Sequence, residues 1–283
     1  MRKIIVGAGL VLLCTTAGRA QRSMDCCART SGPSATESFA RLAGDPVFRM
    51  YHTDPLPFTF RSLAAEPVQF STPDGGTSTA LVWKSKTGSH AWLLVFHEWW
   101  GLNDYVKKQS EQLWNDLGIN VLALDLYDGK VAATRDSAVK YVQAASTARG
   151  IAIVRGALSY VGKDARVFTI GWCFGGGWSL QASLLAGAQA DGCVMYYGMP
   201  EKDLNRLKDL HADVLGIFAN RDQGITPTVV DQFAADMKTS GKNLEVHRYD
   251  AVHAFANPSN PNYDAQATGD AYTYTLAFLK AHL

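Results

Sequence analysis

The chain has 283 residues, of which 47% are hydrophobic, and its 27 Lys and Arg nearly balance its 26 Asp and Glu. The resulting formal charge of +1 excludes the basic surface that nucleic-acid binding requires, and it excludes an acidic disordered tail. The length and composition are those of a globular protein with a sizeable hydrophobic core.

The N-terminus has the pattern of a secretory signal peptide. Arg2 and Lys3 precede an apolar run over residues 4–13, and small residues follow this run. The run is too short for a membrane span, which takes about 20 apolar residues. We therefore predict a signal peptide over residues 1–20, no membrane span, and a periplasmic or secreted protein. The alternative is a buried or fraying N-terminal helix.

Whether the protein is exported decides how its cysteines are interpreted. Cys26 and Cys27 lie in a polar leader, where they could be oxidised, paired with another chain or exposed, and their spacing assigns no disulfide. Cys193 lies in an apolar, strand-like run and is predicted to be a small buried hydrophobe.

Beyond the leader, segments of strand length alternate with segments of helix length. Residues 67–70 and 79–84 flank a Pro-Asp-Gly-Gly turn and predict an edge hairpin. Apolar runs predict six further strands, over residues 91–97, 119–124, 167–170, 193–197, 214–219 and 244–249. Gly118 is suited to ending a helix. The alternation predicts an α/β fold, with a mainly parallel central sheet and helices on both faces. Residues 21–66 are predicted to be an arm that packs on the domain of residues 67–283.

The first candidate site follows the strand at residues 167–170, where Gly-Trp-Cys-Phe-Gly-Gly-Gly leads into a helical segment. This is the pattern of a nucleophile elbow, with Cys173 in the serine position. Glycines are needed because side chains beside so sharp a turn would clash. We expect an accessible sulfur above the sheet edge, where the helix N-terminus favours the thiolate. The alternative is a buried cysteine in a tight turn.

Two further strand ends supply an acid and a histidine. Asp222 follows the strand at 214–219 and His253 follows the strand at 244–249. Taken alone, either could be an ordinary loop residue. The chain order nucleophile, acid, histidine is that of α/β hydrolases, and it predicts a triad of Cys173, Asp222 and His253. The histidine would take the thiol proton, and the acid would orient the histidine.

The strand at 91–97 ends in His97, and Glu-Trp-Trp follows in the loop. Loops in this position supply one oxyanion donor, and the residue after the nucleophile supplies the other. The backbone N–H groups of Trp99 and Phe174 are therefore predicted to form the oxyanion hole. Glu98 is either a solvated loop acid or a carboxylate that faces Cys173.

Together these motifs resemble the dienelactone hydrolase family. The resemblance rests on His97-Glu98-Trp-Trp-Gly, the Cys173 elbow, Asp222 after a strand and His253-Ala-Phe, and the matching order spans roughly residues 67–283. It implies an α/β-hydrolase fold with the triad given above. It also implies that Glu98 pairs with the resting thiol and helps to activate it when substrate binds.

The resemblance also bears on the substrate. The family opens cyclic enol-lactones that carry a carboxylate, and its substrate-clamping arginine falls on Asn257 here. Arg135 is a candidate for a second clamp. Trp100 and Trp172 are candidate substrate-binding residues, because aromatic side chains near the sulfur would form an apolar wall for a ring or an acyl group.

The sequence thus predicts a hydrolase of small activated esters or lactones that works through an acyl-enzyme. No cofactor or metal is expected, and the protein is expected to be a monomer or a homodimer. The alternative is a catalytically inactive protein that binds small molecules on the same fold. A thiol-redox protein is disfavoured because no C-x-x-C occurs, and the seven histidines do not have the spacing of a zinc hydrolase.

Overall fold

The computed structural model describes Met1 and residues 34–283. Apart from Met1, the predicted signal peptide lies outside the described residues, and so do Cys26 and Cys27. Within residues 34–283, every helix is either too short or too polar to cross a membrane.

An eight-stranded sheet organises residues 66–249. Its strands are β1 (Glu66–Ser71), β2 (Thr77–Trp83), β3 (Ala91–Phe96), β4 (Asn120–Leu124), β5 (Arg166–Trp172), β6 (Ala190–Tyr196), β7 (Asp213–Ala219) and β8 (Leu244–Tyr249). Their spatial order is β1-β2-β4-β3-β5-β6-β7-β8. Strand β2 is antiparallel to both β1 and β4, and the neighbours from β4 to β8 are parallel. The predicted edge hairpin and mainly parallel sheet are confirmed.

Helices cover both faces of this sheet. They are α1 (Ala35–Leu42), α2 (Pro46–Met50), α3 (Asp104–Leu117), α4 (Arg135–Ala144), α5 (Thr147–Val161), α6 (Phe174–Ala186), α7 (Leu204–Lys208), α8 (Pro227–Thr239) and α9 (Ala265–His282). Helices α3 and α9 pack together on one face, and α5 and α6 pack together on the other. Gly118 ends α3 in the left-handed conformation with φ 68°, as its position in the sequence predicts.

The central strands are apolar because both of their faces are covered. Every residue of β3 and β4 is buried, and in β5 only the first residue is exposed. Such strands need continuous apolar runs rather than alternation, which is why they stand out in the sequence. Since β3 and β5 to β8 are parallel, their carboxyl ends meet at one edge of the sheet, and polar residues gather there.

The turn from β5 into α6 leaves no room for side chains beside the cysteine. Cys173 has φ 58°, a left-handed conformation that is strained for a residue other than glycine. A Cβ atom on Gly171 would overlap the backbone of Gly175, and one on Gly175 would overlap the carbonyl oxygen of Phe96. The glycines are therefore required by the close approach of three backbone segments.

The segment before the sheet packs on the same edge. Helix α1 begins with a capping box in which Ser34 and Glu37 satisfy each other's backbone N–H groups. Its Phe39 lies with its ring centroid 5.7 Å from that of Phe174, and Phe48 of α2 lies 6.1 Å from Trp99. Both phenylalanines are fully buried. The segment therefore contributes aromatic side chains to the region around the elbow.

Replacing Gly176 by alanine should destabilise the protein by roughly 1–3 kcal/mol, because the added Cβ would lie 2.5 Å from the carbonyl oxygen of Tyr196. Gly269→Ala is the matched control, since Gly269 is exposed inside α9 and no atom outside the neighbouring backbone of that helix lies within 4 Å of the added Cβ. That change should stabilise the protein by about 0.5–1 kcal/mol. Urea unfolding of both variants measures the two effects, and an unchanged free energy of unfolding in Gly176→Ala would contradict the packing described.

Candidate active site

An aspartate and a histidine from two loops form a buried pair. Asp222 follows β7, and its Oδ2 lies 2.5 Å from Nδ1 of His253, which follows β8. Its Oδ1 accepts the backbone N–H groups of Gly224 at 2.8 Å and Ile225 at 2.9 Å. Burial acts to raise the pKa of Asp222, but His253 and the two N–H groups outweigh it and leave the pKa lowered. The ionised aspartate fixes the ring so that Nε2 is its free nitrogen.

The cysteine lies next to this pair. The Cys173 sulfur and a ring nitrogen of His253 are within 4.8 Å of each other. The backbone N–H groups of Phe174 and Trp99 lie close enough to the sulfur to lower the pKa of the thiol. The structure therefore brings together Cys173, Asp222, His253 and the two predicted oxyanion donors.

The expectation of an accessible, readily ionised sulfur is wrong for this conformation. Cys173 has 0% of its surface exposed. Phe48 and His52 from the N-terminal segment pack against His253 and Trp99 beside it, and these two side chains form the cover of the site. Burial raises the pKa of the Cys173 thiol well above its usual value, and the nearby carboxylate of Glu98 raises it further. The two backbone N–H groups lower the pKa by less than burial raises it.

Glu98 is buried beside the cysteine and is held from two sides. Asn257 donates its side-chain N–H to Oε2 of Glu98, and Tyr197 donates its hydroxyl to Oε1 at 3.4 Å. Burial raises the pKa of Glu98 to about 7, although His253, Asn257 and Tyr197 act in the opposite direction. Of the two sequence alternatives, a solvated loop acid is therefore wrong. Glu98 is close enough to act on the thiol electrostatically, while its hydrogen bonds go to the amide and the phenol.

His52 is a further titratable side chain at the site, and no motif in the sequence points to it. Its ring centroid lies 4.4 Å from that of Trp99 and 5.1 Å from that of His253. Its Nδ1 lies 3.0 Å from the carbonyl oxygen of Phe48. Burial, with a smaller contribution from His253, lowers the pKa of His52 to about 3, so the ring is neutral at physiological pH.

The four predicted substrate-binding residues occupy different surroundings. Trp100 is buried with its ring 5.3 Å from that of Trp99. Trp172 lines a cavity of about 330 Å³ that Tyr196 also lines. Asn257 stands at the position where the resemblance places the family's substrate-clamping arginine. Its side-chain amide donates a hydrogen bond to the carboxylate of Glu98.

Arg135 is oriented towards the N-terminal segment. Its backbone N–H donates to Asp54 at 2.6 Å, and its guanidinium donates to the carbonyl oxygen of Arg49 at 3.4 Å. It is close enough to His52 to lower the pKa of that histidine. The structure thus places Arg135 near His52, with its hydrogen bonds directed to Arg49 and Asp54 of the N-terminal segment.

Tyr197 and His52 belong to the site but were not predicted from the sequence, and only the position of Tyr197 is indicated by a sequence pattern. Tyr197 directly follows β6, so the rule that chemistry gathers at the carboxyl ends of parallel strands would have found it. His52 lies before the sheet in a segment without a motif. No periodicity or spacing in the sequence relates this segment to the edge on which it packs.

Comparisons with known proteins match this arrangement to a family. The model of the dienelactone hydrolase family matches residues 79–283. Carboxymethylenebutenolidase 1 of Cupriavidus pinatubonensis is 25% identical over 231 residues, which cover 77% of this chain and 97% of that protein. Protein usf of Aquifex pyrophilus is 28% identical over 204 residues, covering 68% and 88% of the two chains.

A solved structure has the same fold. It is the crystal structure of a dienelactone hydrolase-like promiscuous phosphotriesterase from metagenomic libraries, with a TM-score of 0.65 at 22% identity. The similarity covers 77% of this chain and 99% of that one. Phe48 and His52, which cover the cysteine, lie outside the residues that the family model matches.

The buried carboxyl of Glu98 should make the protein less stable as the pH rises from about 4.5 to 7. In this window the unfolded chain has lost the proton of Glu98, whose ordinary pKa is 4.5, while the folded protein, with a pKa of about 7, retains it. Folding therefore binds a proton there, and the free energy of unfolding falls with pH by roughly 3 kcal/mol before it levels off.

Glu98→Gln removes this contribution. Urea unfolding of wild type and variant between pH 5 and 8, in buffer with a metal chelator, should show their stability difference shifting in favour of the variant as the pH rises. Glu66→Gln, at an exposed carboxyl on β1, is the control and should leave the pH dependence unchanged. A pH-independent difference between wild type and Glu98→Gln would mean that this carboxyl is ionised throughout.

Phe48→Ala should expose the cysteine. The Phe48 ring packs against His253 at 4.8 Å and Trp99 at 6.1 Å between centroids, so its removal loosens the cover. Alkylation of Cys173 by iodoacetamide, read by mass spectrometry of its peptide, should accelerate roughly tenfold, which is about 1.4 kcal/mol of easier local opening. Val47→Ala in the same helix is the control, because Val47 is 51% exposed. Equal alkylation rates in wild type and Phe48→Ala would show that this ring does not restrict access.

Proposed function

Because this chain belongs to the dienelactone hydrolase family, we propose that it hydrolyses small activated esters or lactones with Cys173 as its nucleophile, through an acyl-enzyme. One observation carries the proposal. The Nε2 of His253, whose ring is fixed by Asp222, has no other partner and belongs to a ring within 4.8 Å of the sulfur. This is the relation between base and nucleophile that covalent catalysis requires, in the looser form common before substrate binds.

In the first half-reaction, the thiol proton passes to Nε2 of His253 while the sulfur attacks the carbonyl carbon of the substrate. The carbonyl oxygen becomes an oxyanion that accepts the backbone N–H groups of Trp99 and Phe174. The bond from carbon to the ester oxygen then breaks, and the leaving alkoxide takes the proton from His253. For a lactone the leaving oxygen stays in the same molecule. The product of this half-reaction is a thioester on Cys173.

In the second half-reaction, His253 takes a proton from water, and the hydroxide attacks the thioester carbon. The bond from carbon to sulfur breaks, the carboxylic acid leaves, and the proton returns to the sulfur. Asp222 keeps the ring in the tautomer with a free Nε2 and stabilises the cation that forms in each half-reaction. We assign these roles without any cofactor.

Glu98 and the cover bear on how the resting thiol becomes reactive. The carboxylate of Glu98 disfavours a thiolate on Cys173 while both are buried. Cys173 has no exposed surface, so side chains beside it must move before a substrate reaches the sulfur. We propose that Phe48 and His52, which pack against His253 and Trp99, are the ones displaced. We propose that this displacement reorganises the contacts of Glu98, so that the thiol ionises only when substrate is present.

Cys173→Ala should reduce turnover of p-nitrophenyl acetate by about 10³-fold or more, because the nucleophile is lost while binding is retained. Wild-type protein quenched during turnover should carry an acetyl mass on the peptide that contains Cys173. Cys193→Ala is the matched control, since Cys193 is also buried but lies within β6 and contacts Ser179. Turnover retained in Cys173→Ala would overturn the proposal. Wild-type protein with neither turnover nor adduct would instead favour a binding protein on this fold.

A further inference from the structure

Three potential metal ligands converge in the buried site. The Cys173 sulfur and one ring nitrogen each of His52 and His253 lie within 4.8 Å of one another. All three side chains are at most 1% exposed. In the proposed hydrolysis the thiol and His253 make and break the bonds, and His52 is a buried imidazole to which no chemical step is assigned.

The two histidines share an arrangement that is typical of metal ligands. Each ring has its Nδ1 held by an oxygen atom, the carboxylate of Asp222 in one case and the carbonyl of Phe48 in the other. Each ring also has a buried Nε2 without a hydrogen-bond partner. In metal sites the outer nitrogen of a ligating histidine almost always donates to a carboxylate or a backbone carbonyl, which leaves the other nitrogen for the metal.

A buried nitrogen without a hydrogen-bond partner lowers stability, and here two histidines with such a nitrogen lie beside one thiol. Leaving a buried polar group without a partner costs about 1–3 kcal/mol. A cation that accepted both lone pairs and the sulfur would remove this cost. Asp222 and Glu98 would balance the charge of such a cation, because both carboxylates lie close enough to influence the thiol electrostatically.

We propose that Cys173, His52 and His253 form a binding site for Zn²⁺. One thiolate and two imidazoles are a ligand set that zinc accepts, with the fourth position left to water. As the bond from zinc to sulfur forms, the thiol proton is released to solvent, so binding takes up no electron and needs no other reactant.

The site closes by a small movement. Bond lengths of about 2.0–2.1 Å to nitrogen and 2.3 Å to sulfur place tetrahedral ligand atoms roughly 3.3–3.6 Å apart. The separations of up to 4.8 Å seen here must therefore contract by about 1 Å. His52 can supply this movement because it lies just beyond the end of α2, outside the sheet and its helices.

Bound zinc should hold the enzyme inactive, an effect that rests on the proposed function, whereas zinc binding itself does not. The ion would occupy the lone pairs of the nucleophile and of its base, and it would attach the N-terminal segment to the catalytic domain. His52 would then be the residue that makes the site, since it completes the ligand set from outside the residues that the family model matches.

The test measures metal binding directly in the full chain, with Cys26 and Cys27 replaced by serine so that they cannot bind metal. Reduced, metal-free protein is titrated with Zn²⁺ against a chromogenic chelator and, separately, with Co²⁺ in the spectrophotometer. One equivalent should bind, and Co²⁺ should show the near-ultraviolet charge-transfer band of a thiolate ligand together with the visible bands of tetrahedral coordination. His52→Gln should weaken zinc binding by at least 10- to 100-fold.

His211→Gln is the matched control, because His211 is exposed and away from the site, and it should bind zinc as the parent protein does. Cys173→Ala should lose the charge-transfer band. In chelator-treated protein the activity of each variant towards p-nitrophenyl acetate is its own baseline, and added Zn²⁺ should inhibit His52→Gln by a far smaller fraction of that baseline than it inhibits the parent protein.

The outcomes separate the two proposals. Equal zinc affinity of the parent and His52→Gln, or a cobalt complex without the thiolate band, would overturn the metal site and leave the hydrolase untouched. Stoichiometric zinc binding that depends on His52 in a protein without esterase activity would support the site and count against the hydrolase.

Discussion

The backbone turns sharply at the end of β5. At this turn the start of α6 lies so close to β5, β3 and β6 that their backbones are in contact and only glycines fit between them. Cys173 keeps a left-handed conformation only because this packing leaves it no other. Tyr197, which directly follows β6, and Ala254, which directly follows His253, also have positive φ values. Strained residues thus lie along the sheet edge that carries the site. The free energy gained by burying the apolar sheet offsets the cost of this strain.

A second constraint is the low polarity of the space in which the titratable groups meet. Cys173, Glu98, His52, Asp222 and His253 are all buried, so each charge depends on a specific partner. Asp222 has several partners and remains ionised. Glu98 has a neutral amide and a phenol, which keep its carboxyl near the balance between its two forms. The charge states of the thiol and of Glu98 therefore depend on how much water enters this space.

The sheet could be predicted from the sequence to within a few residues because each central strand is buried on both faces and so has to be apolar throughout. The elbow could be predicted because the clash that excludes side chains at Gly171 and Gly175 is local, and it leaves a local pattern of glycines. Asp222 and His253 could be located because parallel strands end at the same edge.

The burial of the thiol could not be predicted in the same way. It depends on Phe48 and His52, which are far from Cys173 in the sequence and belong to a segment with neither strand nor helix periodicity of useful length. The contact of Asn257 with Glu98 was missed for a related reason. A short polar side chain in a loop can face substrate, solvent or a neighbour, and only the packed structure decides which.

The division of the site between two parts of the chain has an evolutionary consequence. The groups that would make and break bonds belong to the sheet and its loops, whereas the side chains that cover them belong to residues 39–52. Substitutions in that short stretch can alter what is admitted, and how fast, without disturbing the strained turn or the charge partners behind it. Selectivity and reaction chemistry in this protein are therefore free to diverge at separate rates.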